Sequence, residues 1–187
     1  MRYKKGEESA LTKIYNASAK LITTIKYSEL TNSDIIREAN ISRSTFYMYF
    51  KNKDQIFTHI CDDIFDHIFL NHLPKEKHHD YSHDKSQNLV HMLEHSFHHF
   101  YEDKDLILAI LNNGTSEVFL KQLRKRLKPL VTALIDSKII GNNDIDVDIK
   151  IHQYINGYTS LLQYYLRHKE NMTPDEVTST YIELYKH

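Results

Sequence analysis

The side chains best placed to do chemistry stand in one short block, Ser42, Arg43, Ser44, Thr45, Tyr47, Tyr49, Lys51 and Lys53. An arginine at the start of a helix can offer two parallel donors to a guanine edge, while serine and threonine hydroxyls bond bases less selectively. Tyr47 is the second base-edge candidate, and the lysines form a basic shoulder suited to phosphate. This is chemistry of recognition. The chain carries no Gly-rich phosphate loop, no serine-nucleophile elbow and no HExxH helix, so neither an enzyme nor a catalytic residue is expected. Nothing calls for a cofactor.

Two short helices must position this block. Thr31 can cap the first, with Asp34 three residues later in a capping-box relation, and Ile35, Ile36 and Ala39 supply its apolar side. Asn40 falls at the turn, where a left-handed backbone is needed and Asn tolerates it. Ser42 caps the second helix, and Phe46 and Phe50, four apart, point into a core. Leu11, Ile14, Tyr15, Ser18, Leu21, Ile22 and Ile25 follow helical spacing, so a helix over about residues 7–25 packs across the other two. The three make a helix-turn-helix head.

The run SRSTFYMYFKNKDQIF resembles the recognition helix and following helix start of TetR-type transcriptional regulators. Ser42, Arg43, Ser44, Thr45, Phe46, Tyr47, Tyr49, Phe50, Lys51 and Lys53 each fall on a matching position. Ser44 stands where many members have Gly or Ala, and Asn40 where the turn is usually Gly. The resemblance implies phosphate contacts by Thr45, Tyr49 and Lys53, with Ser33 at the groove margin. Arg2, Lys4 and Lys5 can form a minor-groove arm or a disordered basic terminus.

Charge is split along the chain. Residues 1–55 hold ten Lys and Arg against six Asp and Glu, and the remainder fourteen against nineteen, within a net charge of −1. A basic module on an acidic body fits a DNA-binding head, although such a split also arises by chance. With 4 Gly, 3 Pro and little strand-like alternation, the fold expected is all-α with about nine helices. The expected domains are a DNA-binding head over 1–52 and a helical effector-binding and dimerisation body over 53–187. A single cysteine, Cys61, excludes an intrachain disulfide framework. With no signal peptide and no membrane-spanning run, a cytoplasmic location without membrane contact is expected.

In the body, a helix from Lys53 runs through Phe69 until Pro74 stops it, and residues 73–84 read as a loop. Further helices fall near 86–102, 104–112, Ser116–Ser137 with Pro129 kinking or dividing it, and Ile145–His168. Thr173-Pro174-Asp175-Glu176 opens the last. The stretch QYINGYTSLLQYYLRHKENMTPDEV is similar to the carboxy-terminal part of a Firmicutes-type TetR subgroup, where the two final helices pair with their copies in a second subunit. On this reading Ile151, Tyr154, Ile155, Tyr158, Leu161, Leu162, Tyr165, Leu166, Val177, Tyr181 and Leu184 form the homodimer interface, the stripe being wide for one neighbouring helix; intramolecular core is the alternative. The resemblance also implies an effector pocket, which Phe65, Phe69, Phe97, Tyr101 and Tyr158 can line or simply fill as core.

Thirteen histidines are left over, concentrated between positions 59 and 99. On the helix near 86–102, His91, His95, His98 and His99 share one side against Leu89, Met92, Leu93, Phe97 and Phe100. That is an exposed polar face or, through His91, His95 and His99, a metal site. The expectation is a homodimeric repressor on a palindromic double-stranded operator, released by a small-molecule effector. The alternatives are a co-activator working through a partner protein, a metal-responsive regulator, and a helical enzyme or carrier.

Overall fold

The computed structural model describes residues 9–69, 85–168 and 172–187, without the side chains of residues 85–87. The basic arm at Arg2, Lys4 and Lys5, the stop at Pro74 and the loop over 73–84 lie outside the described residues. Nine helices and no strands are present among the rest: α1 Ala10–Ile22, α2 Asn32–Glu38, α3 Arg43–Tyr49, α4 Lys53–Phe69, α5 Lys85–Glu102, α6 Lys104–Asn112, α7 Ser116–Asp136, α8 Val147–His168 and α9 Pro174–Tyr185. Pro129 lies inside α7 and does not divide it. The first helix is shorter than its apolar pattern, because Ser9 caps it and Thr23 ends it.

Contacts group the chain into two compact units. One holds the described residues up to Ile64 with Asp103–Phe119, and the other those from Phe65 to Glu102 and from Leu120 to His187. This grouping differs from a division after residue 52. The first part of α4 and the whole of α6 pack with the head, and Asn113, at the end of α6, supplies one reason. Its Nδ2 donates to the carbonyls of Ile22 and Ile25 at 2.7 Å each, and its Oδ1 accepts from Tyr27 N at 3.2 Å. One amide thus satisfies carbonyls that the end of α1 leaves open.

In the first unit α1 packs on α2, α3 and α6. Ile14, Leu30, Ile35, Phe46, Phe50, Ile56 and Phe57 make the core. Phe57 meets Tyr27 edge-on with ring centroids 4.9 Å apart.

In the second unit α5, α8 and α9 pack on one another. Phe97 of α5 stacks on Tyr158 of α8 at 4.6 Å, Ser96 Oγ lies 2.6 Å from the Tyr158 hydroxyl, and Tyr181 of α9 donates to the Tyr154 carbonyl at 3.0 Å. Burial holds the phenols of Tyr158 and Tyr181 far above their ordinary range. The buried Lys150 ammonium donates to the carbonyls of Gly141 and Asn143 at 2.9 and 2.6 Å. Gly157 sits under the Tyr185 ring, where an added Cβ would overlap the phenol.

This packing gives most of the residues expected at an interface on α8 and α9 partners within the chain. Ile151, Tyr154, Ile155, Tyr158, Leu162, Tyr165, Leu166, Val177 and Tyr181 are all buried within one chain, so they are core. Leu161 is half-buried and Leu184 is 65% exposed. The stripe is too wide for one neighbouring helix because α8 packs on both α5 and α9. Its outward side instead shows Ile149 and Tyr164, 55% and 51% exposed.

Candidate nucleic-acid interface

The recognition block takes its shape from its caps. Thr31 Oγ1 accepts from Asp34 N at 3.2 Å and Asp34 Oδ2 accepts from Thr31 N at 3.0 Å, which closes the capping box of α2. The hydrogen bonds from the Thr31 hydroxyl and backbone to Asp34 hold that carboxyl below its usual range. Asn40 takes φ +50°, the left-handed conformation the turn requires. Ser42 Oγ then accepts from Thr45 N at 3.0 Å to start α3, and lies 2.8 Å from the hydroxyls of both Ser44 and Thr45. Phe46 and Phe50 turn inward as expected.

What remains outside is a face of Arg43, Ser44, Tyr47 and Met48, of which Tyr47 and Met48 are 53% and 80% exposed. Arg43 makes one long hydrogen bond, Nη2 to Ser33 Oγ at 3.3 Å, which joins the starts of α3 and α2. Tyr49 and Lys51 are exposed beside this face, Ser33 and Ser42 are exposed, and Thr45 is half-buried. The arrangement offers donors, a phenol and an apolar tip on one side of a short helix, a set that suits base edges and a thymine methyl. Met48 was not among the sequence candidates. Its spacing of four from Ser44 was the available signal.

Lys53 has partners within the head besides the phosphate expected of it. Its Nζ donates to the carbonyls of Tyr27 and Leu30 at 2.5 and 2.7 Å and lies 4.3 Å from the Tyr27 ring centroid. Its backbone N–H donates to Asn32 Oδ1 at 2.9 Å. The Tyr27 hydroxyl bonds Asp54, and burial together with that bond raises its pKa far above the ordinary phenol range. Lys53 therefore clamps the α1–α2 connection to the start of α4 instead of extending from the surface. At the same shoulder Gln55 N donates to Asn52 Oδ1 and Lys51 N donates to Gln55 Oε1, at 3.0 and 2.9 Å. Cys61 is buried, its thiol pushed up to about 12 chiefly by that burial, so it is a packing residue.

The residues expected to line an effector pocket fill space with one another. The rings of Phe65 and Phe69 are 6.4 Å apart, and each lies 6.2 Å from Phe100. Phe97 stacks on Tyr158, and Tyr101 meets Tyr165 at 5.7 Å.

The histidine face is divided as well. His95 and His99 are buried, with their Nε2 atoms 2.8 Å apart, while His91 Nδ1 faces Glu94 at 3.4 Å. His91 and His95 also line one cavity with Glu94 and His98, and with His95 and His99 buried the face is not uniformly exposed. His67 of α4, absent from the sequence candidates, lies against His99 with ring centroids 4.7 Å apart.

Among the described residues no helix is long and apolar enough to cross a membrane. No curated protein matches the chain. The structure is similar to that of a TetR transcriptional regulator from Streptococcus agalactiae 2603V, with 26% identity and a TM-score of 0.74 over 94% of this chain and 92% of that one. A TetR-family regulator from Syntrophomonas wolfei shares the fold at 20% identity and a TM-score of 0.67, covering 95% of this chain and 93% of its own. So does the dihydroxyacetone kinase operon activator DhaS, at 15% identity and 0.61 over 94% and 93%. Residues 14–60 match the family described as bacterial regulatory proteins, tetR family, and residues 87–187 match that described as transcriptional regulator C-terminal region. The first match spans the capped helix-turn-helix and the second more than half of the chain, and on both the chain belongs to the TetR family of DNA-binding transcriptional regulators.

Proposed function

We propose that the protein is a homodimeric repressor that reads a palindromic operator through α3 and leaves it when a small effector binds. The observation that carries this reading is the exposed face of Arg43, Ser44, Tyr47 and Met48 on a helix whose apolar side is fully used by the core. Arg43 is the guanine reader and Tyr47 the second base contact, with Met48 against a thymine methyl. Ser33, Ser42, Thr45, Tyr49 and Lys51 set register on the phosphates. Lys53 spends two of its three ammonium donors on backbone carbonyls and has one left for a phosphate.

The dimer uses the outward faces of α8 and α9, including Leu161, Tyr164 and Leu184, since the rest of the apolar stripe is core. Two heads are then held for two half-sites. The effector is apolar or aromatic and parts the rings of Phe65, Phe69, Phe97, Tyr101 and Tyr158. Reciprocity requires operator DNA to weaken effector binding by the factor that effector weakens DNA binding. The site of action is the cytoplasm, where the operator lies.

Selection of bound fragments from the source genome, with footprinting, tests this function. The expected product is an inverted repeat whose half-site centres are about 34–36 Å apart, or a multiple of that, together with derepression of a reporter when the gene is deleted. No enriched fragment, or loss of reporter expression on deletion, would exclude a repressor.

A further inference from the structure

We propose that His67, His99 and Glu102 form a binding site for a first-row divalent transition-metal ion, with zinc as its reference occupant. The inference stands apart from the DNA-binding reading, since all three residues lie in the second compact unit.

His67 is in the last turn of α4, and His99 and Glu102 are in the last turn of α5. One ligand atom from each lies within 4.8 Å of the other two. His99 Nδ1 is 2.8 Å from Glu102 Oε2, and the His67 ring meets that of His99 at 82°. Four tetrahedral ligands at bond lengths of about 2.0–2.2 Å stand roughly 3.3 Å apart. One separation is 2.8 Å and none exceeds 4.8 Å, so movements on the scale of side-chain torsions bring the three donors onto one ion. His67 and Glu102 are exposed and His99 is buried. Water can therefore fill the fourth position, or His98, whose Nε2 is 3.8 Å from Glu102 Oε1, can move in. Two imidazoles and a carboxylate without a thiolate select zinc, nickel, cobalt or copper over calcium and magnesium.

His95 gives the site its outer support. In the metal-free protein the Glu102 carboxylate only accepts, so His99 carries its proton on Nδ1 and its Nε2 accepts from His95 Nε2 at 2.8 Å. When an ion replaces the proton on His99 Nδ1, that ring takes the Nε2–H tautomer and donates to His95, which moves its own proton to Nδ1. Each imidazole changes tautomer, no net proton is released, and the three protein ligands replace the waters of the hydrated ion, which keeps one water where that fills the fourth position. A hydrogen-bonded partner on the far nitrogen is the usual way a ligating histidine is held.

The test uses the full-length protein stripped of metal. Zinc is titrated in competition with a chromophoric chelator, and cobalt is followed by its visible absorption. The expected result is one ion per chain, with intense cobalt bands typical of four-coordination. Affinity should fall by about tenfold or more in His67→Ala, His67→Gln and Glu102→Gln, by about 10- to 100-fold in His95→Ala, and change little in His91→Ala. The His67 and Glu102 changes are at exposed positions, and circular dichroism checks that each variant stays folded. Absence of zinc binding at micromolar concentration would overturn the proposal. So would wild-type affinity in folded His67 and Glu102 variants, which would assign any bound ion to other histidines.

Discussion

The ammonium of Lys53 lies 4.3 Å above the ring of Tyr27 and donates to the carbonyl oxygen of the same residue at 2.5 Å. A lysine from the start of α4 therefore holds the connection that leads from α1 into α2. The neighbouring Lys51 is exposed. Of the two lysines, Lys53 is thus the one that the folded head holds.

Their substitutions should separate in two measurements. Lys53→Met keeps the aliphatic stem but leaves the carbonyls of Tyr27 and Leu30 without their charged donor, so urea unfolding should record a loss of about 1–3 kcal/mol. Lys51→Ala should leave stability within about 0.5 kcal/mol and flatten the salt dependence of DNA binding by about 0.9 of a logarithmic unit for each phosphate the lysine neutralised. Identical stability of Lys53→Met and wild type would remove the clamp.

Asn113 ties α6 to the end of α1 through three backbone groups. Asn113→Ala should cost about 1–3 kcal/mol, and Asn113→Asp should not recover it, because a carboxylate cannot donate to the carbonyls of Ile22 and Ile25. Hydrogen exchange should quicken first at Tyr27 N–H, whose acceptor is removed in the alanine variant. Unchanged exchange there would contradict the role.

Buried and outward side chains on α8 and α9 should behave oppositely. Leu162→Asp and Tyr165→Asp place a charge where the relative exposures are 1% and 0%, and unfolding of the second unit is expected, at a cost of about 3 kcal/mol or more. Tyr164→Glu and Leu184→Glu change exposed positions and should yield folded monomers seen by light scattering. Folded monomers from Leu162→Asp would restore the buried stripe as the interface.

The capping box of α2 sets a pH dependence. The Asp34 carboxyl is lowered in the folded protein by the Thr31 hydroxyl and backbone donors. Its contribution is therefore complete above the unfolded value of about 3.9 and is lost as pH falls through the lower folded value. The difference in melting temperature between wild type and Asp34→Asn should hold steady from neutral pH to about pH 5 and close below about pH 4. A gap that persists in acid would mean the asparagine is disturbing something other than ionisation.

The head was legible in the sequence because its signals are local. Thr31 with Asp34, Asn40 and Ser42 each act within a few residues, and each adopts the geometry its type implies. The capping box of Thr173 and Glu176 at the start of α9 was read the same way and is present. What the sequence could not carry is the partner across space. The apolar stripe of α8 reads alike whether it meets α5 and α9 or a second chain, since periodicity reports that a face is buried and not what covers it. Lys53 fits a phosphate pattern by position, yet the carbonyls it meets come from residues 23 and 26 positions earlier. The contact between His67 and His99 joins two different helices, and no spacing within α5 could reveal it.

Base reading by the exposed face of α3 is measured most directly by the affinity of wild type and Arg43→Ala for the selected operator and for unrelated DNA at several salt concentrations. Arg43→Ala is expected to lose about 1–3 kcal/mol on the operator, tolerate changes at one guanine position, and keep a folded head, because the Arg43 guanidinium spends only a long bond on exposed Ser33. Equal discrimination by the two proteins across operator variants would contradict it.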